Sequence, residues 1–257
     1  MSTAANPPFS GSGGMKIVLI GYGKMGRAIE ETAQQRGHKI ILKIDINNLS
    51  EFTRENLQPA DVAIEFTGPQ TAFDNVIKTI NSGIPLVCGS TGWIEKSDSY
   101  RMEKVKTLCK EKSGSFIYSS NYSVGVNIFF EINKKLASLM SLHSEYEPII
   151  EEIHHTEKKD APSGTAISLG EQILEQIDRK KRWVNEVSEI PEDLEIISQR
   201  INATPGTHSV KYSSAIDDIE IIHTAHNRKG FALGAVLAAE YIHDKKGVFT
   251  MKDVLHF

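Results

Sequence analysis

The sequence predicts an α/β protein in two parts: a Rossmann-type doubly wound parallel sheet domain and a second, α+β domain with a mixed or antiparallel sheet. Three observations predict it. A glycine-rich turn, Gly21-Tyr22-Gly23-Lys24-Met25-Gly26, separates an apolar run from a helical pattern. Apolar runs and helical stretches then alternate as far as residue 119, as crossover helices between parallel strands require. Beyond residue 182, strand-like runs follow one another without helices between them, which suits a separate sheet.

Composition narrows the function classes. At 257 residues the chain has room for one large or two modest domains, and 40% hydrophobic residues suit a soluble globular protein. Its 29 basic and 33 acidic residues leave a net charge of -4, which argues against nucleic acid as a partner. Cys88 and Cys109 are too few for a disulfide framework. No apolar run approaches the roughly 18 residues of a membrane span, so no membrane partner is expected and a cytoplasmic location is. Residues 1–14, MSTAANPPFSGSGG, have neither the charged region nor the apolar core of a signal peptide and read as a flexible leader or tag.

The fold is expected to start at Met15, with a strand over 17–20. Gly21 permits a tight turn, Gly23 lets a pyrophosphate approach the backbone, and Gly26 lets helix pack on strand. The helix runs to residue 35 and stops at Gly37, and a second strand ends at Asp45, where a ribose-binding carboxylate belongs. Such a carboxylate accepts from the ribose hydroxyls and repels a 2′-phosphate, and Ile46, Asn47 and Asn48 bring no arginine to offset it. NADH is therefore the preferred cofactor, with NADPH possible if Lys43 or Arg36 lies near.

The alternation continues with a strand over 61–66, a helix over 70–81 stopped by Gly83, and a buried strand over 84–88. Gly89-Ser90-Thr91-Gly92 is a small polar turn suited to lie beside a nicotinamide ring, although any strand-to-helix turn favours such residues. Cys88, ending an apolar strand, reads as a small buried hydrophobe rather than a nucleophile. A helix over 100–112 and a strand over 115–119 follow, and ligand is expected at the carboxyl ends of these strands.

After 121–127 the texture changes. Phe129, Ile132, Leu136 and Leu139 form one stripe of a helix over 128–140, and the β-branched Ile149, Ile150 and Ile153 mark a strand over 147–153. A helix over 165–177 opens near Ser163, the four bases from Arg179 to Arg182 read as its solvated end, and strands are expected over 196–201, 208–212 and 219–224. An Ala-rich helix over 231–242 closes the chain and could rejoin the first domain.

Between the strand and the helix lies EEIHHTEKKDAPSGT, residues 151–165, which gathers His154, His155, Lys158, Lys159, Asp160 and a Pro-Ser-Gly-Thr turn. A loop between rigid elements is a usual mount for catalytic groups. Histidine and lysine can donate protons and hold carboxylates, and a Ser-Gly-Thr turn opening a helix offers amides and a positive dipole end to an anion. Each residue alone has a plainer explanation: a wet surface lysine, a satisfied histidine, Ser163 as an N-cap. Their coincidence in one loop points to an anionic substrate that needs a proton.

The stretch EIHHTEKKDAPSGT resembles the signature E-x-H-H-x-x-K-x-D-A-P-S-G-T of the 4-hydroxy-tetrahydrodipicolinate reductase (dihydrodipicolinate reductase) family of lysine and diaminopimelate biosynthesis. The glycine turn with Met25-Gly26-Arg27, the turn at Gly89, the NYSVGVN run from Asn121, and IEIIHTAHNR from Ile219 extend the likeness from Met15 to Phe257. The resemblance implies an NAD(P)H-dependent oxidoreductase acting on a small cyclic dicarboxylate, assembled as a homotetramer through the second domain's sheet. It implies a dinucleotide-binding domain at 15–122 and 232–257 and a substrate-binding and oligomerisation domain at 123–231. By matching position, His154 and Lys158 are the catalytic proton-handling pair, and His155, Ser163, Gly164 and Thr165 contact the substrate. Gly21, Tyr22, Gly23, Lys24, Met25, Gly26 and Asp45 match the adenine-nucleotide site. Gly89, Ser90, Thr91, Ser119, Ser120, Asn121 and Tyr122 match the nicotinamide side. No metal is implied. The glycine loop is one residue shorter than the family's frequent form, and the R-x-G-x-x-G-x-H segment survives only as Arg200 and His208 with a different run between. The alternative is another two-domain NAD-dependent dehydrogenase, acting on an amino acid or a semialdehyde.

Overall fold

The computed structural model describes residues 13–94, 100–202, 204–227 and 229–257, so all but the last two residues of the expected leader lie outside the described residues. Two compact units form, one reaching Val124 and resuming over Lys229–Phe257, the other Gly125–Arg228. Along the first unit run β1 (Lys16–Ile20), α1 (Lys24–Gln35), β2 (Lys39–Ile44), α2 (Arg54–Leu57), β3 (Val62–Glu65), α3 (Ala72–Asn81), β4 (Leu86–Cys88), α4 (Tyr100–Lys112) and β5 (Ser115–Tyr118). The second holds α5 (Val124–Met140), β6 (Glu147–His154), α6 (Gly164–Leu174), β7 (Arg182–Val184), β8 (Asp193–Arg200), β9 (Gly206–Ser213) and β10 (Asp218–Ala225). The chain then returns to the first unit with α7 (Lys229–Ile242), β11 (Gly247–Phe249) and α8 (Met251–Leu255).

The first unit carries a six-stranded sheet in the order β11-β5-β4-β3-β1-β2, and every pair in it is parallel. Its inner strands β1, β3 and β4 are buried almost throughout because both faces are covered. Ile17, Leu19 and Ile64 pack with Ile29 of α1, Ala239 of α7 and Met251 of α8. Val18, Ile20 and Ala63 pack on the other face with Leu57 of α2, Val76 of α3 and Val105 of α4. Small side chains let α7 lie close: a Cβ on Gly234 would stand 1.6 Å from the carbonyl oxygen of Tyr122. From β1 the chain winds one way to β2 and the other way to β3, so a crevice opens at the carboxyl ends of β1 and β3.

The second unit has a mixed five-stranded sheet, order β10-β9-β6-β8-β7, in which β6 runs antiparallel to β9 and parallel to β8. One face packs Ile150, Ile196, Val210 and Tyr212 against Phe129 and Ala137 of α5 and Leu169 and Ile173 of α6. By the strand register, Ile149, Ile153, Ile197 and Ile222 lie on the opposite face. Among the described residues no helix is long and apolar enough to cross a membrane.

Several expectations are corrected. Helix α5 begins at Val124, not 128, because the stretch before the apolar stripe already continues the helix. Helix α6 stops at Leu174. The four bases are not a solvated helix end. Lys180 is buried, its ammonium donating to the carbonyls of Pro191 (2.8 Å) and Asp193 (2.9 Å) beside the Glu147 carboxylate at 2.6 Å, while Arg182 opens β7 and pairs with Asp193. Strands β7 and β11, three residues each, had no sequence signal. His154 is not on the loop but is the last residue of β6, so its backbone is fixed by the sheet.

Candidate active site

In the first unit, the carboxyl ends of β1, β2 and β3 surround a cavity of about 600 Å³ lined by Gly21, Tyr22, Gly23, Asp45, Ile46, Phe66 and Thr67 among others. The three glycines of the turn have separate reasons to be glycine. Gly21 has φ +95°, and a Cβ there would lie 2.2 Å from the carbonyl oxygen of Phe66. A Cβ on Gly26 would lie 2.3 Å from the carbonyl oxygen of Gly21, so this residue lets α1 start against the turn. At Gly23 a Cβ would meet nothing within 4 Å, and the space beside this N-cap is open to a ligand. Helix α1 has no acidic residue in its first turn and no side-chain cap, leaving its positive dipole end for an anion. Open backbone, an uncapped helix and a lined cavity fit a dinucleotide's pyrophosphate.

At the end of β2, Asp45 keeps one oxygen occupied, Oδ1 accepting from the Asn47 N–H at 2.8 Å. Neither basic candidate, Arg36 or Lys43, is spare. Arg36 is bound to Glu240 at 2.7 and 2.8 Å, and Lys43 is held by Glu30 at 2.7 Å and donates to the Tyr22 hydroxyl at 3.2 Å. The Tyr22 ring lies against both Arg27 (4.7 Å) and Lys43 (4.6 Å). Lys24 is exposed as the first residue of α1, and Met25 packs on the apolar core.

The turns after β4 and β5 are bound to the sheet more than they are presented. Ser90 is buried, its hydroxyl donating to Glu65 at 3.0 Å and accepting from the Thr67 N–H at 2.8 Å. A Cβ on Gly89 would strike the Phe66 ring, while Thr91 and Ser120 are exposed. The Ser119 hydroxyl donates to the Asn121 carbonyl at 2.7 Å. Tyr122 is buried, with its hydroxyl donating to the carbonyls of Cys88 (2.9 Å) and Ile117 (3.3 Å), so it ties β4 to β5. Burial and the neighbouring Glu65 carboxylate push the Cys88 thiol well up, as befits a buried hydrophobe. Sequence reasoning missed Glu65 and Phe66, for nothing in the local pattern distinguishes a strand's last residue as a hub.

In the second unit the predicted loop is brought together around another missed residue, Glu152. Its side chain is fully buried. Both its oxygens accept from the Ser163 N–H at 3.1 Å, and Oε1 also accepts from the Ser198 hydroxyl at 2.8 Å and from Arg200 Nη2 at 3.2 Å. Oε2 stands 3.5 Å from His154 Nδ1 and 3.6 Å from His208 Nε2. Arg200 further donates to the carbonyls of Lys158 (3.3 Å) and Asp160 (2.6 Å), pinning the loop. Lys158 pairs with Asp160 at 2.7 Å. Ser163 caps α6, accepting from the Ala166 N–H, and its buried hydroxyl lies 3.0 Å from His208 Nε2, so it shapes the turn rather than facing outward. Gly164 is exposed, with nothing within 4 Å of a Cβ placed there, and Thr165 is part-exposed beside it. No acidic residue occupies the first turn of α6. His155 is part-buried with Nδ1 unpaired, and Lys159 is exposed.

Electrostatics separate these groups. Burial alone would push the Glu152 carboxyl up, but hydrogen bonds from His208, Ser163 and Ser198 outweigh it and keep the acid ionised. His154 is pushed down to about 4, first by burial, then by the His208 ring, with Lys158 and Arg200 adding to the effect and Glu152 opposing it. The two rings meet edge to face, 5.0 Å between centroids. A Cβ on Gly206, whose φ is +153°, would come within 3.0 Å of His154 Nε2, so this glycine leaves room for the ring. The arrangement combines a neutral imidazole, a lysine and a helix start with no acidic residue in its first turn, chemistry suited to an anionic, proton-requiring ligand.

Comparison with known proteins is consistent along the chain. Residues 15–122 match the family model described as dihydrodipicolinate reductase, N-terminus, and residues 125–255 the one described as dihydrodipicolinate reductase, C-terminus. The sequence is 50% identical over 242 residues to the 4-hydroxy-tetrahydrodipicolinate reductase of Christiangramia forsetii, covering 94% of this chain and 98% of that protein. To the protein of the same name from Methanosarcina barkeri it is 35% identical, covering 82% and 78%. Among solved structures, a dipicolinate-bound dihydrodipicolinate reductase from Paenisporosarcina sp. TG-14 shares the fold, with a TM-score of 0.73 at 19% identity over 93% of this chain and 98% of that one.

Proposed function

The chain belongs to the dihydrodipicolinate reductase family, and we propose that it is the oxidoreductase that converts 4-hydroxy-tetrahydrodipicolinate to tetrahydrodipicolinate in lysine and diaminopimelate biosynthesis, the 4-hydroxyl leaving as water while the ring takes one hydride and one proton. The observation that carries the site assignment is the second unit's wiring: a proton-bearing ring at the end of β6 and the open start of α6 share one buried carboxylate.

Gly21, Gly23 and the start of α1 would hold a dinucleotide's pyrophosphate, and Asp45 its adenosine ribose, with NADH preferred and NADPH possible. The reduced nicotinamide, when bound, supplies a hydride to the substrate. The amides at Gly164 and Thr165, with the dipole of α6 and His155, take a substrate carboxylate. In the free protein His154 is neutral at pH 7. An anion close by offsets His208, Lys158 and Arg200, so His154 takes up a proton as the dicarboxylate binds and can return it to the reduced ring. Lys158, paired with Asp160 at 2.7 Å, is the second proton source.

Two features support the rest of the reading. The isoleucines on the uncovered face of the second unit's sheet suit pairing with other copies, and a homotetramer is the proposed assembly, to be measured by light scattering with size exclusion. Both cysteines are free buried thiols, which suits the cytoplasm. The deciding experiment couples the protein to the aldolase-type synthase that makes the substrate, with NADH and NADPH in separate runs. Turnover that is faster with NADH is expected, and a clear NADPH preference rejects the role given to Asp45. Near-normal turnover in His154→Gln or Lys158→Ala rejects the proton assignments.

A further inference from the structure

Glu152 moves no proton in the chemistry just described, yet its buried carboxylate accepts four hydrogen bonds. A carboxylate stripped of water is costly to keep unless its charge and lone pairs are fully met. Here they are met from four places at once. Ser163 from the start of α6 and Ser198 and Arg200 from β8 donate hydrogen bonds, while His208 of β9 and His154 of β6 itself stand 3.6 and 3.5 Å away as partners in charge. Were it only the partner of a buried arginine, a bidentate pair with Arg200 would suffice. Instead Arg200 reaches one oxygen at 3.2 Å and spends its other donors on the carbonyls of Lys158, Asp160 and Gln199.

The partners divide in a telling way. On one side is the Ser163 amide, whose position sets where α6 starts and hence where the Gly164 and Thr165 amides point. On the other is His154, whose Nδ1 is buried without a hydrogen bond in the free protein and faces Oε2 at 3.5 Å. A small rotation of the ring brings Nδ1–H onto the carboxylate, and the proton exchanged with a substrate then moves at Nε2, beside Gly206. The charged groups acting on that ring are His208 from β9, Arg200 from β8 and Lys158 from the loop, all cationic or able to become so, and Glu152 is the one anion among them that favours the imidazolium.

We propose that Glu152 is a positioning residue for the reduction: one carboxylate orients the His154 imidazole and clamps the start of α6, holding proton carrier and carboxylate cradle in a single register. This rests on the roles given to His154 and α6 under the proposed function. Replacing the carboxylate by an amide of the same shape removes the charge and leaves only one acceptor for the donors around it.

The test is Glu152→Gln, assayed beside His154→Gln. In Glu152→Gln, kcat falls roughly ten- to a hundredfold, as for loss of other groups that orient a working imidazole, while KM rises less. The NADH dissociation constant, read by fluorescence titration, stays at the wild-type value because the residues assigned to cofactor belong to the other unit. The His154 ring, followed by NMR in the free protein, titrates at a lower pH than in wild type. A role confined to stability would lower the melting temperature and leave kcat and the ring's titration unchanged. Should the glutamine variant not fold, Glu152→Asp carries the same test, since it keeps the charge but cannot span both partners: a lower kcat at wild-type NADH affinity is expected. A folded variant with kcat within about twofold of wild type and an unshifted His154 titration overturns the inference, and does so alone if His154→Gln is inactive. An active His154→Gln instead overturns the functional assignment and this inference with it.

Discussion

The glycine turn of the first unit and the histidine loop of the second both present the start of a helix with no acidic residue in its first turn, and at Gly23 and Gly164 a Cβ would meet nothing within 4 Å. They differ in what holds that start in place. In the first, backbone packs on backbone: a Cβ on Gly21 or Gly26 would lie only 2.2–2.3 Å from a carbonyl oxygen, which leaves no room for a side chain. In the second, side chains do the holding, through Glu152, Arg200 and His208. A backbone-built site serves a cofactor part that is only bound, whereas a side-chain-built site can also set the protonation of the group it carries. The contrast predicts that the first site fails through sterics and the second through charge.

The largest effect expected is on turnover in the second site. His154→Gln should lower kcat by about a thousandfold, within the range for loss of a general acid, while NADH affinity is unchanged. Stopped-flow and fluorescence titration on one preparation check it, and a parallel loss of NADH binding would break the division between the sites.

Next comes acid sensitivity. The unfolded chain protonates His154 near pH 6.5 and the folded chain only near 4, so between those values the unfolded state binds more protons. Stability is whole above pH 6.5, declines as pH falls, and is lower by about 3 kcal/mol at pH 4 from this ring. Glu152, ionised to lower pH than an unfolded glutamate, pushes the same way below its unfolded value. Urea unfolding at pH 7 and 4 should give a shallower pH dependence for His154→Gln than for wild type, and equal slopes would mean that the ring titrates normally.

Two glycine substitutions test the steric side. Gly21→Ala places a methyl against a carbonyl at positive φ and should cost about 3 kcal/mol of stability. Gly23→Ala should leave the melting temperature within a few degrees of wild type but weaken NADH binding about tenfold, or 1.4 kcal/mol. Equal behaviour of the two variants in thermal melts and titrations would erase the distinction. The smallest effect is at Lys159, exposed and outside the network: Lys159→Ala should keep kcat/KM within about twofold.

Much of this was legible in local pattern. The Gly21–Gly26 turn, Asp45 and the alternation through β5 are encoded over short spans, where one residue's φ or a run of apolar side chains carries the signal. Strands β7 and β11 were not, because three residues cannot display a period. The run Arg179 to Arg182 misled for a related reason: composition alone reads as solvent, and the carbonyls that receive Lys180 belong to Pro191 and Asp193, a distant turn.

The sequence by itself therefore determined the parallel sheet, the glycine turn and the identity of the chemical groups at 154–165, since each depends on residues near in the chain. Only the tertiary structure decided what those groups are wired to. Ser198, Arg200 and His208 are 40 or more positions from the residues they hold at the loop, and a mixed sheet that sets β8 and β9 on either side of β6 is what brings them to Glu152. A buried carboxylate exists as such only once its donors surround it, and no local pattern can specify donors that arrive from other strands.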